Sequence, residues 1–262
     1  MQQDDILLVD DLSRAFGGVQ AVDHCSFAIL RGSISALIGP NGAGKTTLVN
    51  LVAGALKSQG GRVIFNGTDI TGRRGHHIAQ LGLIRTFQIS REFGGMTVLE
   101  NMLVTPPRQE GERLINVLFR PHIGQMEDKK HVERALELLD TFGLYPQVDE
   151  YARNLSGGQK RLLELARAVM AEPELLLLDE PLAGVNPVLI DRIASHIVDL
   201  NRAGLTFLLV EHNLDVVEQV CDHVVVMAVG RTLATGRMDE LRQNEEVIRA
   251  YLGGTLDERA AG

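Results

Sequence analysis

From Gly39 to Thr46 the chain reads Gly-Pro-Asn-Gly-Ala-Gly-Lys-Thr, a spacing of glycines, lysine and hydroxyl suited to holding a chain of phosphates. Glycines let successive backbone N–H groups turn inward on an anion, and a helix starting there adds roughly half a positive charge at its N-terminus. Lys45 supplies a full charge for the terminal phosphates, and the hydroxyl of Thr46 offers a hard oxygen to Mg²⁺. Gly39, Pro40, Asn41, Gly42, Ala43, Gly44, Lys45, Thr46 and the neighbouring Thr47 are the expected nucleotide-contacting stretch.

Such a loop needs a carboxylate on the metal side and a base for the attacking water. The apolar run Leu175 to Leu178 ends in Asp179-Glu180; a strand buried in a sheet would deliver Asp179 to the metal shell and leave Glu180 to polarise water against the γ-phosphate. A second anion site is written at Ser156-Gly157-Gly158-Gln159, where a hydroxyl and glycine N–H groups open an apolar-periodic helix.

The elements that must position these residues emerge from periodicity. Ile34 to Ile38, Leu175 to Leu178 and Leu205 to Val210 are apolar without alternation, the pattern of strands covered on both faces of a parallel sheet. Ile6 to Val9, Cys25 to Leu30 and Arg62 to Phe65, the last running into an Asn66-Gly67 turn, predict a mostly antiparallel β region. From Leu99 to Ala171 the period becomes helical, with Val132, Ala135, Leu136, Leu139 and Phe142 on one stripe and Leu162, Leu165, Ala166 and Val169 on another. Val104 to Met126, with Pro106-Pro107 and Pro121, predicts an irregular surface loop or short helices.

Composition narrows the class. The 262 residues are 45% hydrophobic and 23% charged with a formal net charge of −8, the profile of a soluble globular chain and a poor one for binding nucleic acid. Cys25 and Cys221 form no metal-ligand or CxxC spacing, which reads as two buried thiols in a reducing cytoplasm. The acidic N-terminus lacks a secretory pattern and no apolar run approaches a membrane span. His76-His77 has no third ligand at metal spacing and reads as a solvated basic face with Arg73 and Arg74.

At Leu155-Ser156-Gly157-Gly158-Gln159 the chain matches, letter for letter, the signature of ATP-binding-cassette ATPases, and from Leu8 to Leu252 it resembles that family. The resemblance implies an α/β fold of the P-loop NTPase type: a cassette domain with a parallel core sheet, an antiparallel β subdomain and an inserted α-helical subdomain. Residues 1–262 would form one such domain, with core parts about 1–98 and 172–254, the helical part about 99–171 and a disordered tail at 255–262. ATP and Mg²⁺ are the implied ligands. Gln88, in Arg85-Thr86-Phe87-Gln88, matches the glutamine that touches metal and water; His212 matches the switch histidine on the γ-phosphate. Phe16 stands where the family has an aromatic stacking on adenine, the alternative being a core phenylalanine. The family also implies a head-to-tail dimer, the signature of one subunit closing on ATP held by the other. Asn186 occupies a position where many relatives have aspartate, which weakens the expected cross-talk through that loop.

Within the family, Gly82 to Gln88, Thr97 to Asn101, Pro181 to Pro187, Glu211-His212-Asn213 and Ala250 to Gly253 are similar to ATPase subunits of branched-chain amino acid importers. The long spacing between Gln88 and Leu155 resembles the larger of the two ATPases there. Transmembrane permease subunits, a second ATPase of the same or a related kind and, indirectly, an extracytoplasmic solute-binding protein are the implied partners, with the chain peripheral on the cytoplasmic face of the membrane. Importers of urea, amides and aromatic acids share these features, as do lipid-exporter ATPases; a soluble cassette ATPase is the other alternative. No NKxD guanine reader supports a GTPase.

Overall fold

A computed structural model describes residues 4–86, 92–105 and 121–251, with backbone alone for 121–128. Gln88, most of the Val104 to Met126 segment and the 255–262 tail lie outside the described residues. The chain forms two compact units: Met1–Arg85, Glu174–Gly184 and Ile190–Gly262 make the first; Thr86–Pro173 and Val185–Leu189 make the second.

The first unit holds two sheets. Strands β1 (Asp5–Phe16), β2 (Val19–Leu30), β4 (Gly60–Phe65) and β5 (Thr68–Asp69) form an antiparallel sheet in the order β2-β1-β4-β5. β1 and β2 are each longer than their apolar alternation predicts. Their pairing shifts register at several points, and Asp11 and His24 adopt positive φ, so bulges break the period that the sequence would otherwise display. Asn66 and Gly67, at φ 48° and 72°, make the predicted hairpin turn between β4 and β5.

The second sheet contains β3 (Ile34–Ile38), β6 (Leu83–Arg85), β7 (Leu175–Asp179), β8 (Thr206–Val210), β9 (His223–Ala228) and β10 (Arg231–Gly236). Its order is β10-β9-β3-β8-β7-β6, parallel throughout except for β10 at one edge. Every residue of β3, β7 and β8 is buried, which is why these runs are uniformly apolar. Alternate side chains feed two cores: Leu37, Val225 and Met227 join one with β1, β2, β4 and the helix Lys45–Val52, while Ala36, Ile38, Val224 and Val226 join one with Val217, Met238, Leu241 and Val247. Cys25 Sγ and Thr232 Oγ1, 3.1 Å apart, connect the two sheets.

The second unit is helical, with segments at Val98–Leu103, Pro121–Thr141 and Gly157–Met170. Residues 121–126, expected in a loop or short helices, are the first turns of a 21-residue helix. Its buried stripe is Ala135, Leu138, Leu139 and Phe142; Val132 and Leu136, assigned to that stripe from spacing, are only half-buried, Leu136 because Leu138 fits the i, i+3, i+4, i+7 face and Leu136 lies off it. The predicted stripe of the next helix, Leu162, Leu165, Ala166 and Val169, is buried as expected. Among the described residues no helix is long and apolar enough to cross a membrane.

Candidate nucleotide site

Parallel strands deliver the loops at their carboxyl ends to one edge, and in this sheet the register aligns those ends: Leu37 pairs with Val210 and Val210 with Asp179. The Gly39–Thr46 loop leaves β3, Asp179-Glu180 ends β7 and Glu211-His212 comes directly after β8. That edge is where open α/β sheets bind ligands.

The loop's backbone is packed so closely that side chains are excluded. A Cβ on Gly39 would stand 2.2 Å from the Met227 carbonyl oxygen, and one on Gly44, at φ 96°, would stand 2.1 Å from that of Ala21. Gly230 N–H donates to the Ala43 carbonyl at 3.0 Å, so the β9–β10 turn supports the loop from outside. Gly42, by contrast, faces open space. Gly44 caps the helix Lys45–Val52 without any side-chain partner, leaving first-turn N–H groups to a ligand. Lys45 Nζ donates to the carbonyls of Gly39 at 2.7 Å and Pro40 at 3.1 Å. Burial draws its pKa below the ordinary lysine range, while the carboxylates of Glu180 and Asp179 raise it.

Asp179 is 5% exposed, too buried to stand alone as a carboxylate. Arg85 Nη2 donates to Asp179 Oδ2 at 2.7 Å and Nη1 to Asn50 Oδ1 at 2.6 Å. The guanidinium fork thereby ties the end of β7 to the helix that succeeds the phosphate loop. Motif spacing does not reveal Arg85 and Asn50 as site supports; the available signal is a cation ending the short strand Leu83-Ile84-Arg85.

Glu180 sits at φ 50°, an unusual conformation for a residue with a Cβ and one that recurs at functional sites. Its N–H donates to Val210 O at 2.9 Å, and its carbonyl accepts from Ala183 N at 3.2 Å, so the chain turns sharply just past the sheet edge. His212 is exposed beside a buried Glu211. Desolvation pushes the Glu211 carboxyl up, and the amides of Leu182, His212 and Asn213 draw it back down. Glu211 is a second support that motif spacing does not single out. Phe16, at the end of β1, is 45% exposed with the Arg14 guanidinium 4.9 Å from its ring centroid, so it is no core residue.

In the second unit Ser156 and Gln159 form a reciprocal cap: Gln159 N–H donates to Ser156 Oγ at 3.3 Å, and Ser156 N–H to Gln159 Oε1 at 2.9 Å. The Ser156 hydroxyl keeps its own proton to donate. Gly157 has nothing within 4 Å of a built Cβ, whereas a Cβ on Gly158 would come within 2.4 Å of Leu189 Cδ2. Asn186 Oδ1 accepts from Leu189 N–H at 3.0 Å, an acceptor role that aspartate fills equally.

The metal donors offered by the described residues, the Thr46 hydroxyl and the Asp179 carboxylate, are hard oxygens and fit Mg²⁺. The rings of His76 and His77 lie tilted by 50° with centroids 3.9 Å apart and are exposed. Among the described residues no group of three or more His, Cys, Asp or Glu could hold a metal. Burial pushes both thiols up, that of Cys221 to about 12, which makes them poor nucleophiles.

A glycine-rich loop, two carboxylates and a histidine on the carboxyl edge of a parallel sheet define a phosphate-binding α/β fold of the P-loop class. Residues 22–183 match the family model for the ABC transporter, and residues 231–257 match that for the branched-chain amino acid ATP-binding cassette transporter. The chain belongs to the ABC transporter family, among its ATP-binding-cassette ATPases. It is 42% identical over 257 residues to a protein of Archaeoglobus fulgidus described as a probable branched-chain amino acid transport ATP-binding protein LivG, covering 98% of this chain and 99% of that one. An Escherichia coli (strain K12) protein described as a high-affinity branched-chain amino acid transport ATP-binding protein LivG is 38% identical over 249 residues, covering 95% and 98%. A crystal structure of the ADP conformation of an ATP-binding cassette of an ABC transporter superposes with a TM-score of 0.80 at 35% identity, covering 95% of this chain and 99% of that one.

Proposed function

We propose that this chain is the ATP-hydrolysing subunit of an importer of branched-chain amino acids or a related small polar solute, held on the cytoplasmic face of the membrane by transmembrane permease subunits. The relatives' descriptions support the transported class. Within the molecule, the reading is carried by Lys45, Asp179-Glu180 and His212 lying at the ends of three neighbouring strands, β3, β7 and β8.

In this reading ATP is the substrate. The N–H groups between Gly39 and Thr47, Pro40 having none, surround its phosphates, and the Lys45 amino group exchanges its two loop carbonyls for phosphate oxygens. Phe16 stacks on the adenine, a contact worth about 1–3 kcal/mol. Mg²⁺, when bound, neutralises charge on the β- and γ-phosphates; Thr46, Asp179 and Gln88 are the residues that would hold it. Glu180 accepts the proton of the attacking water, and His212 donates toward the γ-phosphate. Ser156, Gly157, Gly158 and Gln159 offer a hydroxyl and amides to ATP held by a second ATPase subunit, identical or related. ATP binding then favours the closed pair and product release the open one, which biases a two-state membrane element. A solute-binding protein outside the membrane feeds the transporter, and nucleic acid has no part.

The test is Glu180→Gln, tagged and purified with ATP from native membranes. ATP binding is expected to persist while turnover falls by about 10²–10⁴, the usual worth of a positioned base. Two polytopic subunits and a second ATPase should co-purify. Turnover like that of wild type would remove Glu180 from the role, and recovery without any membrane subunit would remove the transporter.

A further inference from the structure

Glu211 is a carboxylate 1% exposed at the end of a fully buried strand. A buried charge is costly unless hydrogen bonds replace its water. Here the partners are backbone amides. Leu182 N–H donates to Oε1 at 3.2 Å and His212 N–H to Oε2 at 3.2 Å, with Asn213 N–H adding to the set.

The identity of those donors is informative. In the turn from Glu180 to Ala183, the Ala183 N–H is used by the Glu180 carbonyl, while the N–H of Leu182 has no role in closing the turn. Glu211 takes it. On the other side, His212 N–H emerges just after β8 ends at Val210, where the ladder supplies no acceptor; Glu211 takes that one too. The Glu211 backbone is itself fixed, its N–H donating to Leu37 O in β3 at 3.3 Å. One carboxylate thus joins the turn that carries Glu180 to the loop that carries His212, and its own backbone is anchored to the strand that leads into the phosphate loop.

We infer that Glu211 is a positioning residue for hydrolysis: its two carboxylate oxygens clasp the Glu180 turn and the His212 loop so that base and histidine keep one spacing and move together. The inference rests on the proposed roles of Glu180 and His212. A neutral amide of the same length cannot reproduce the clasp. Gln at 211 keeps one acceptor oxygen but sets an NH₂ donor against one of the two amides, so one loop is released. A group displaced by about 1 Å can cost on the order of 10²-fold in rate, without any change in how the phosphates are gripped at Gly39 to Thr46.

The experiment uses the full chain, purified from native membranes with its partners, as wild type, Glu211→Gln, Glu180→Gln and the double variant. Glu211→Gln is expected to lower kcat by about 10–100-fold with the ATP dissociation constant nearly unchanged. Added to Glu180→Gln it should cost less than it does alone, because part of the clasp acts through the base already lost. Amide hydrogen exchange in Glu211→Gln should rise at whichever of Leu182 and His212 faces the new NH₂ group, while β8 keeps its protection. In the wild type the two amides should open with a common free energy, a measurement that needs no variant to fold. A folded Glu211→Gln with wild-type kcat, or amides at 182 and 212 that exchange independently in the wild type, overturns the inference. Wild-type turnover in Glu180→Gln strikes instead at the assigned base and removes the catalytic half of the inference; the exchange data still decide the clasp.

Discussion

The phosphate loop of the first unit and the Ser156–Gln159 segment of the second solve one problem, presenting glycine amides at a helix start, by opposite means. Around Gly39–Thr46 two of the three glycines are forced: backbone carbonyls of Met227 and Ala21 occupy the space where side chains on Gly39 and Gly44 would be, and Lys45 adds a cation. At Ser156–Gln159 the helix is capped by its own side chains and Gly157 faces open space. A glycine packed from inside is required by the fold; a glycine open to solvent is required, if at all, by what approaches it. The first segment is a nearly finished site within its unit. The second has Lys160 beside its amides, but that amino group is paired with Glu92 at 2.6 Å, which fits the proposal that its ligand arrives already held by another subunit.

The sharpest way to break this comparison is to add the same methyl group to both. Gly44→Ala places a Cβ 2.1 Å from the Ala21 carbonyl at φ 96°, and the loss in unfolding free energy should exceed about 4 kcal/mol, with nucleotide binding gone. Gly157→Ala should leave stability within about 0.5 kcal/mol yet reduce turnover of the assembled transporter. Denaturant unfolding of the two variants side by side measures the contrast, and equal destabilisation would erase it.

The next effect concerns support rather than the loop itself. Arg85 and Asp179 form an ion pair with side chains 12% and 6% exposed. Arg85→Met leaves a buried carboxylate without its cation and should cost about 3–5 kcal/mol, whereas an exposed pair such as Arg249–Glu245 should contribute less than about 1 kcal/mol. Thermal unfolding of Arg85→Met and Arg249→Met decides whether the site's scaffold is as finished as its packing indicates. In the helical unit the corresponding support is the Ser156 cap, and Ser156→Ala should cost about 1 kcal/mol, measurable as a loss of amide protection in the first turn of that helix.

Legibility in the sequence divides along the same line. Residues that must be one type for local reasons announce themselves: the glycines and Lys45, the Asp179-Glu180 pair after four leucines, Ser156 three residues before Gln159. The core strands are legible because burial on both faces leaves uniform apolar runs. Bulged strands read short, since Asp11 and His24 at positive φ interrupt the two-residue period. A count of apolar positions puts Leu136 on the buried stripe and passes over Leu138, because it does not distinguish i+1 from i. Arg85, Asn50 and Glu211 are invisible as supports because their partners are distant in sequence: Arg85 meets Asp179 across neighbouring strands and Glu211 meets Leu182 across another pair. Long-range pairing of a polar side chain has no period and no fixed spacing to detect.

The smallest effect separates the units by pH. His196 and His223 both belong to the first unit, and desolvation lowers the pKa of each, with Arg192 adding to the effect at His196. A histidine whose pKa is lowered by partial burial takes up its proton later than the same residue in the unfolded chain. As pH falls below about 6.5, the unfolded state therefore gains protons first and the folded state loses stability. Glu211 opposes this at lower pH: its raised pKa means the folded state gains a proton before the unfolded one, so further acidification relieves part of its burial cost. The net expectation is a loss of amide protection in β8 and β9 between pH 7 and about 6, with the Gly157–Met170 helix little affected. Replacing His196 and His223 together by Gln should flatten that dependence. A helix in the second unit that loosens over the same interval, or a double variant with an unchanged slope, would show that the acid sensitivity does not reside in these two half-buried rings.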